Sequence, residues 1–230
     1  MAEVEKAAVT VSAFRWVPPF AQGQVRDLRV RWALEEIGRD YAVELQDATR
    51  PRGAEYKAWQ PFGQVPAFDD GKVRLFESGA ILLYLGEQHE HLLPRDPKAR
   101  WEATAWVFAA LNSIEPVVSM LPFLDIFNQG KDWAKEGRPA AEELVRQRLA
   151  DLSTAIGERE WLGDDFSVAD IAMVSVLRIL DEPEESSALV DAHPNLVAYR
   201  ERGKARPAFQ RALDAQCTQF AKTPPPKQGE

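Results

Sequence analysis

Residues 63–81 read GQVPAFDDGKVRLFESGAI, and this stretch decides how the first part of the chain folds. Two short runs, VPAF and VRLF, are rich in apolar and β-branched residues and flank the pair Asp70-Gly71. An Asp-Gly pair in this setting predicts a β-hairpin, because glycine tolerates the positive φ that a tight turn requires. Ser78 has the side chain of a helix N-cap and predicts a helix over 79–88.

Two strands and two helices are predicted before this hairpin. Apolar residues at helical spacing followed by Gly38 predict the first helix and its end. The consecutive prolines Pro18 and Pro19 exclude a regular helix directly after the first strand. The order through residue 88 is therefore β-α-β-α-β-β-α. The predicted elements are a strand at 8–14, a helix at 24–37, a strand at 41–45 and a short helix at 55–59.

Beyond Pro97 the pattern is helical almost throughout, which predicts an α/β domain followed by an all-α domain. Ser167 followed by Asp170 predicts a capping box at the start of one of these helices. The predicted helices are 98–127, kinked or divided by Pro116 and Pro122, then 139–156 with Pro139 in its first turn, 168–180, 195–204 and 207–220. The predicted domains are 8–89 and 97–221, with a disordered tail at 222–230.

Composition excludes several classes of function. The 230 residues carry a net charge of −8, which argues against binding to a phosphate backbone. The single cysteine, Cys217, cannot form an intrachain disulfide, and the three histidines, His89, His91 and His193, form no recognisable metal-ligand pattern, so we expect no metal. We find neither a signal-peptide pattern nor an apolar run approaching about 18 residues, and we expect a cytoplasmic protein.

Four motifs in order give the chain a family resemblance. GQVP at 63–66 precedes the hairpin and FESGAI at 76–81 follows it, FSVADI at 166–171 opens a helix, and PNL at 194–196 with ARPAF at 205–209 marks the end. Together they resemble the cytosolic glutathione S-transferases of bacterial type. The resemblance implies a thioredoxin-like N-terminal domain, an all-helical C-terminal domain, glutathione as co-substrate and a homodimer.

The resemblance also implies where glutathione binds. A cis peptide bond is expected at Val65-Pro66, which would present the main chain of Val65 to the cysteinyl unit of glutathione. Ser78 and the start of its helix would bind the α-carboxylate of the γ-glutamyl unit, and Glu77 its α-ammonium group. Gln64 would reach the peptide backbone of the ligand. Without the motif, Ser78 would be interpreted as a helix N-cap alone and Glu77 as an acidic residue on the surface.

Two parts of this site are less determined by the sequence. The glycine carboxylate of glutathione needs a cation, for which Arg52 or Arg50 is available. Family members usually stabilise the thiolate with Tyr, Ser or Cys after the first strand, but residues 13–40 contain none of these. The candidate substitutes are Gln24, Arg26 and Arg29 near the start of the first helix, whose positive end and arginine charges would lower the pKa of the thiol. Either arginine alone could equally be a surface residue.

A pocket for a hydrophobic second substrate is predicted beside the thiol. The loop after the first strand offers Phe14, Trp16 and Phe20, and the long helix of the second half offers Trp106 and Ile114. Some of these residues could instead serve packing between domains.

The sequence therefore predicts a transferase that adds the glutathione thiolate to small hydrophobic electrophiles, with glutathione-dependent peroxidase activity as a second reaction. The alternative is a binding or interaction protein that keeps the fold and has little or no activity, which the absent hydroxyl would favour. A thiol–disulfide reductase is disfavoured, because no cysteine follows the first strand.

Overall fold

The computed structural model describes residues 9–223, which form two compact units. Unit 1 contains the chain through Gln88 together with the segment that begins at Pro207, and unit 2 is His89–Arg206. This division differs from the predicted domain 97–221, because the last helix belongs to unit 1. Lys222 ends that helix, and the rest of the predicted tail lies outside the described residues from 224 onward.

Unit 1 is built on a four-stranded sheet with the order β2-β1-β3-β4. β1 pairs with β2 in parallel and with β3 antiparallel, and β3 pairs with β4 as the predicted hairpin, with Phe68 opposite Leu75. Gly71 has a φ of 78° in the turn, as the Asp-Gly pair predicts. The strands are β1 (Val9–Phe14), β2 (Tyr41–Gln46), β3 (Ala67–Asp69) and β4 (Arg74–Phe76).

Among the described residues of unit 1, four α-helices accompany the sheet, and the first of them packs against the last. Trp32 of the first helix and Phe209 of the last are fully or almost fully buried, with ring centroids 4.9 Å apart. This aromatic contact is one reason why the last helix belongs to unit 1. The helices here are α1 (Asp27–Glu36), α2 (Ala54–Trp59) and α3 (Ser78–Gln88), and the last one, α11, is Pro207–Lys222.

Unit 2 is helical, and its central helix, α8, is buried along its whole length. Gly203 lies against α8 so closely that a Cβ atom there would stand 2.6 Å from a side-chain carbon of Val174. The helices are α4 (Pro97–Phe108), α5 (Glu115–Val118), α6 (Met120–Pro122), α7 (Asp132–Ile156), α8 (Val168–Leu177), α9 (Glu184–Asp191) and α10 (Pro194–Lys204), with π-helical turns at Ala109–Ile114 and Phe123–Phe127.

The capping box at the start of α8 is formed as predicted. The Ser167 hydroxyl accepts a hydrogen bond from the backbone N–H of Ala169, and the Asp170 carboxylate accepts from the backbone N–H of Ser167 at 2.9 Å. Asp170 also accepts from the N–H of Leu162 and from the Tyr199 hydroxyl, each at 2.9 Å. One buried carboxylate thus joins the start of α8 to the preceding loop and to α10.

Several predicted boundaries in unit 2 were wrong. Helix α7 begins at Asp132 and contains Pro139 in its interior. Ala134 before the proline is buried and Arg138 pairs with Asp125 at 3.1 Å, so tertiary contacts accompany this early part of the helix. Helix α9 was missed, and the peptide bond before it, Glu182-Pro183, is cis. The kinked helix at 98–127 is present, with a π-helical turn next to each proline-containing piece.

The helical stretch Pro97–Phe127 is long and apolar enough, by length and composition alone, to cross a membrane. Core helices of soluble proteins meet the same criterion, and α4 packs against α8 within unit 2. Length and composition are therefore weak evidence for a span here.

Candidate functional site

The loop between α2 and β3 contains the predicted cis peptide bond, Val65-Pro66. Val65 and Pro66 are buried, whereas Gln64 just before them is exposed. Gln60, itself almost fully buried, accepts hydrogen bonds through its side-chain oxygen from the backbone N–H groups of Phe62 and Gln64 at 2.8 and 3.1 Å. These two hydrogen bonds to a buried side chain therefore fix the conformation of the turn that precedes the cis bond.

Two buried hydroxyl groups connect the residues on either side of the cis bond. The Tyr56 hydroxyl donates to the carbonyl oxygen of Gln64 at 2.6 Å, and the N–H of Ala67 donates to the Ser12 hydroxyl at 2.7 Å. The Ser12 and Tyr56 hydroxyl oxygens are 2.7 Å apart. Since Tyr56 donates to Gln64, Ser12 donates to Tyr56, and the chain of donors runs in one direction.

Burial raises the pKa of Tyr56, although the hydrogen bond with Ser12 acts in the opposite direction. The phenol therefore keeps its proton and remains a donor to Gln64. Sequence reasoning assigned no role to Ser12, whose side chain is buried. It did not find Tyr56, because nothing local in the sequence connects a tyrosine on α2 to a serine 44 residues earlier.

Glu77 and Ser78 lie at the start of α3. Glu77 is exposed and has a φ of 69°, the left-handed region that a residue other than glycine seldom occupies. Its carbonyl accepts the hydrogen bond of Ile81 N–H at 3.0 Å, so the helical bonding pattern begins there. Such strain is characteristic of residues at ligand sites. Ser78 is the first residue of the helix and is 5% exposed.

Arg29 contacts Ser78 directly. The guanidinium donates a 3.3 Å hydrogen bond to the Ser78 hydroxyl oxygen, and Arg29 is 3% exposed. The sequence predicted that Arg29 would act on the thiol, whereas the structure places its charge at the start of α3. No local pattern indicates this contact, which joins residues 49 positions apart.

The start of α1 lies at Asp27, three residues after the predicted start at Gln24. Backbone bonds from Leu28 to Val25 form a turn ahead of the helix. Arg26 occupies the N-cap position and is exposed, and Gln24 is half-buried in the turn. The helix starts late because Gln24 and Val25 belong to a hydrogen-bonded turn rather than to the helical ladder.

The predicted cation for the glycine carboxylate, Arg52, binds its own loop in the structure. Its guanidinium donates to the carbonyl oxygens of Asp47 and Arg50 and lies over the Phe14 ring, 5.3 Å from the centroid. Arg50 is exposed and forms an ion pair with Asp47 at 3.4 Å.

The residues predicted for the hydrophobic pocket belong to both units. In unit 1, Phe14 and Trp16 are partly buried and Phe20 is 46% exposed. In unit 2, Trp106 is partly buried and Ile114 is 4% exposed. The pocket itself stays a prediction. Among residues 9–223, no cluster of three or more His, Cys, Asp or Glu side chains could hold a metal ion.

Comparison with known proteins gives this geometry its context. Two family models match the chain: the glutathione S-transferase N-terminal domain over residues 21–87, and the glutathione S-transferase C-terminal domain over residues 106–207. A glutathione S-transferase from Hyoscyamus muticus is 30% identical over 81% of this chain and 92% of its own. The chain belongs to the glutathione S-transferase family.

Other relatives agree with this membership. Glutathione S-transferase F14 of Arabidopsis thaliana is 36% identical over 66% of this chain, although the match spans slightly under two thirds, 64%, of that relative. The crystal structure of a Burkholderia graminis glutathione transferase, which has two glutathione molecules bound per subunit, superposes with a TM-score of 0.78 at 29% identity, covering 92% of this chain and 90% of its own. The predicted fold class, a thioredoxin-like domain followed by a helical domain, is confirmed.

The N-terminal family match begins at residue 21, beyond β1 and most of the loop that follows it. The matched residues 21–40, which include Gln24, contain no Tyr, Ser or Cys. This glutathione S-transferase thus agrees with the family in the cis-proline and Glu-Ser motifs and departs from it in the loop after β1.

Proposed function

We propose that this glutathione S-transferase binds glutathione in unit 1 between the Val65 main chain and the start of α3, and adds its thiolate to small hydrophobic electrophiles. The relatives that match the chain are named as transferases, and this supports an enzyme over the alternative of an inactive scaffold. The observation that carries the proposal is the cis Val65-Pro66 bond together with the Arg29–Ser78 pair. These two features present a peptide-binding main chain and an anion-binding helix start within one unit.

Each part of glutathione has a complementary group in this proposal. The cysteinyl unit pairs with the main chain of Val65, next to the side chain of Gln64. The γ-glutamyl carboxylate accepts from the Ser78 hydroxyl at the positive end of α3, and the α-ammonium group pairs with exposed Glu77. Arg52 stays the candidate for the glycine carboxylate, and binding there requires its guanidinium to leave the loop carbonyls that it now contacts.

The chemical step is nucleophilic displacement. The thiol of glutathione loses its proton to solvent, and its sulfur attacks the carbon that bears a leaving group such as chloride. A carbon–sulfur bond forms as the carbon–chlorine bond breaks. The thiolate is the reactive form, and an unassisted thiol with a pKa of about 8.5 is mostly protonated at neutral pH. We assign its stabilisation to Gln24, Arg26 and the N–H groups at the start of α1.

The second substrate is proposed to lie against the aromatic loop after β1, formed by Phe14, Trp16 and Phe20. We further propose that the protein is a cytoplasmic homodimer, as is usual for this family. A peroxidase reaction would use two glutathione molecules to reduce one organic hydroperoxide to an alcohol and water, leaving glutathione disulfide.

The test is a conjugation assay with glutathione and a chlorinated dinitrobenzene, compared with the rate in the absence of protein. We expect turnover that saturates with glutathione and falls in Ser78→Ala and in Glu77→Gln. A parallel assay with an organic hydroperoxide measures the second reaction. Binding of glutathione without turnover in either assay would favour the scaffold alternative.

A further inference from the structure

Two glutamines of the last helix, α11, bind the two ends of the loop that follows β1. The side-chain amide of Gln219 donates to the carbonyl oxygen of Phe14 at 2.7 Å, where the loop begins. The side-chain amide of Gln216 donates to the carbonyl oxygen of Val25 at 3.2 Å, where the loop ends. These residues are three positions apart and therefore lie on the same face of α11. We call Gln216 and Gln219 the α11 glutamine pair.

The orientation of each amide follows from its partners. Gln219 receives a hydrogen bond from Arg31 on its oxygen, so its NH₂ group must face Phe14. Gln216 faces two acceptors, the Val25 carbonyl and the Asp27 carboxylate, the latter at 2.8 Å, so its NH₂ group must face both. Reversing either amide would place its side-chain oxygen against an acceptor oxygen of the partner, where no hydrogen bond can form. Both donors that reach the loop are therefore fixed by the network around them.

An ion pair on α1 joins the two glutamines. Arg31 donates to Asp27 at 2.7 Å and to the Gln219 oxygen at 2.5 Å, while Asp27 also accepts from Gln216. Asp27 and Gln216 are completely buried, and Arg31 is 2% exposed. The chain of hydrogen bonds thus runs without interruption from Phe14 through α11 and α1 to Val25. Buried charges require such pairing, so each member depends on the others for its position.

Most of the described hydrogen bonds within the loop are short-range. Ala21 N–H donates to the Pro18 carbonyl at 2.9 Å and Gln24 N–H to the Ala21 carbonyl at 3.1 Å. At the start of the loop, Arg15 N–H donates to the carbonyl of Gln46 of β2 at 2.7 Å. Pro18 and Pro19 cannot donate backbone hydrogen bonds. The prolines limit its internal flexibility, but they do not fix where the loop lies. That position depends on how its ends are held.

We propose that the α11 glutamine pair positions the loop 15–24 for catalysis, so that the last helix of the chain is part of the thiol site. This inference rests on the proposed function, in which the loop provides the aromatic wall and leads into Gln24 and Arg26. Gln216 and Gln219 are positioning residues, since they contact the ends of the loop and not the substrate. α11 lies almost wholly beyond the C-terminal family match, which ends at residue 207.

The test measures the loop itself by hydrogen–deuterium exchange with mass spectrometry. Gln219→Glu keeps an acceptor for Arg31, replaces the donor that faces Phe14 with a carboxylate oxygen and adds one negative charge beside Arg31. Gln219→Leu and Gln216→Leu remove the side-chain amide entirely. The matched control is Gln147→Leu, because Gln147 is an exposed glutamine of α7 that bonds to Glu143 one helical turn away. The hairpin 67–76 serves as an internal reference.

In each α11 variant we expect exchange in the loop 15–24 to accelerate about tenfold, which corresponds to about 1.4 kcal/mol. Exchange in the hairpin should stay as in the parent protein, and Gln147→Leu should match the parent throughout. Conjugation kcat should fall while the Kd for glutathione, measured by calorimetry, changes less than about twofold, because Val65 and Ser78 are untouched. A role in stability alone would accelerate exchange everywhere.

Unchanged exchange of the loop in a folded Gln219→Glu variant would overturn the inference. So would acceleration spread equally over loop and hairpin. Failure of the proposed function is a separate result, because it would appear as absent glutathione binding in the parent protein. The exchange measurement needs no ligand, so it still tests whether the α11 glutamine pair positions the loop if the parent protein does not bind glutathione.

Discussion

The guanidinium of Arg29 donates a hydrogen bond of 3.3 Å to the hydroxyl oxygen of Ser78 in the interior of unit 1. A serine hydroxyl has one donor and two acceptor sites, so this contact uses an acceptor site and leaves the hydrogen to be donated outward. The charge of Arg29 adds to the positive end of α3. Arg29 is thus placed to orient Ser78 toward the γ-glutamyl carboxylate.

Replacing Arg29 should weaken glutathione binding. We expect Arg29→Met to raise the Kd for glutathione about tenfold, equivalent to about 1.4 kcal/mol, with Arg29→Lys in between because it keeps the charge. The measurement is calorimetric titration of each variant after its melting curve has shown that it is folded. Arg211→Met is the control, because Arg211 is an exposed arginine of α11 paired with Glu35. An unchanged Kd in folded Arg29→Met would refute this role.

The hydroxyl chain on either side of the cis bond should contribute to both stability and binding. Tyr56→Phe removes the hydrogen bonds that the Gln64 carbonyl and the Ser12 hydroxyl make with Tyr56, while Ser12 still accepts from the Ala67 N–H. We therefore expect the free energy of unfolding to fall by about 1–3 kcal/mol. The Kd for glutathione should rise as Gln64 and Val65 shift. Chemical denaturation and calorimetry measure the two effects.

A double-mutant cycle with Ser12→Ala separates this chain from independent contacts. Because the two hydroxyls bond to each other, the double variant should lose less than the sum of the single losses. Thr154→Ala removes an exposed hydroxyl on α7 and serves as the control. It should leave the free energy of unfolding and the Kd for glutathione near the parent values. Additive losses would show that the two hydroxyls act separately.

Asp70 makes the hairpin sensitive to acid. Its burial acts to raise its pKa, but hydrogen bonds from the N–H groups of Val73 and Lys72 and from the Tyr84 hydroxyl, with the charge of Arg39, outweigh burial and lower the pKa. A carboxyl whose pKa is lower in the folded state contributes stability above its unfolded pKa of about 4, and this contribution is lost as pH falls through the folded value.

We therefore expect Asp70→Asn to lower the free energy of unfolding by about 2 kcal/mol at pH 7. The difference in the free energy of unfolding between parent and Asp70→Asn should narrow as pH falls below about 4, because the unfolded parent takes up a proton at Asp70 first and the folded parent only at lower pH. Urea titrations of both proteins at a series of pH values measure this difference in the free energy of unfolding. Asp164→Asn, at an exposed acid of unit 2, is the control. A difference that stayed constant over this pH range would contradict the assignment.

Arg26 should lower the pKa of the bound thiol. Because Arg26 is exposed at the start of α1, we expect Arg26→Ala to raise the pH at which bound glutathione ionises by about one unit or less at low salt, and salt should reduce the effect. The ultraviolet absorbance of the thiolate, followed against pH, measures it. Arg95→Ala, at an exposed residue of unit 2, is the control. The same midpoint in parent and Arg26→Ala would remove Arg26 from the mechanism.

Local chemistry explains what the sequence could predict. Gly71 in the turn, Ser167 with Asp170 at a helix start, and Pro66 after Val65 each act through neighbours within a few positions. Their structures therefore follow from short-range rules of turns, caps and peptide geometry. Helix boundaries were less accurate, because tertiary contacts such as the Arg138–Asp125 ion pair lie in the part of α7 ahead of Pro139, which local rules exclude from the helix.

The supporting contacts of the site could not be predicted, because they join distant parts of the chain. Gln219 and Phe14 are 205 residues apart, and Arg29 and Ser78 are 49 apart. A glutamine on a helix face or an arginine in an amphipathic helix has the same sequence pattern whether it faces solvent or a buried partner. Tertiary packing decides between these outcomes.

The central claim is that glutathione binds across the main chain of Val65 and the start of α3 at Ser78. Calorimetric titration of the parent protein and Ser78→Ala with glutathione, and with cysteinylglycine as a ligand that lacks the γ-glutamyl unit, tests it most directly. We predict that the parent binds glutathione, that Ser78→Ala binds it at least about tenfold more weakly, and that cysteinylglycine binds both proteins equally weakly. No binding by the parent at millimolar glutathione, or the same glutathione Kd in Ser78→Ala, would contradict the claim.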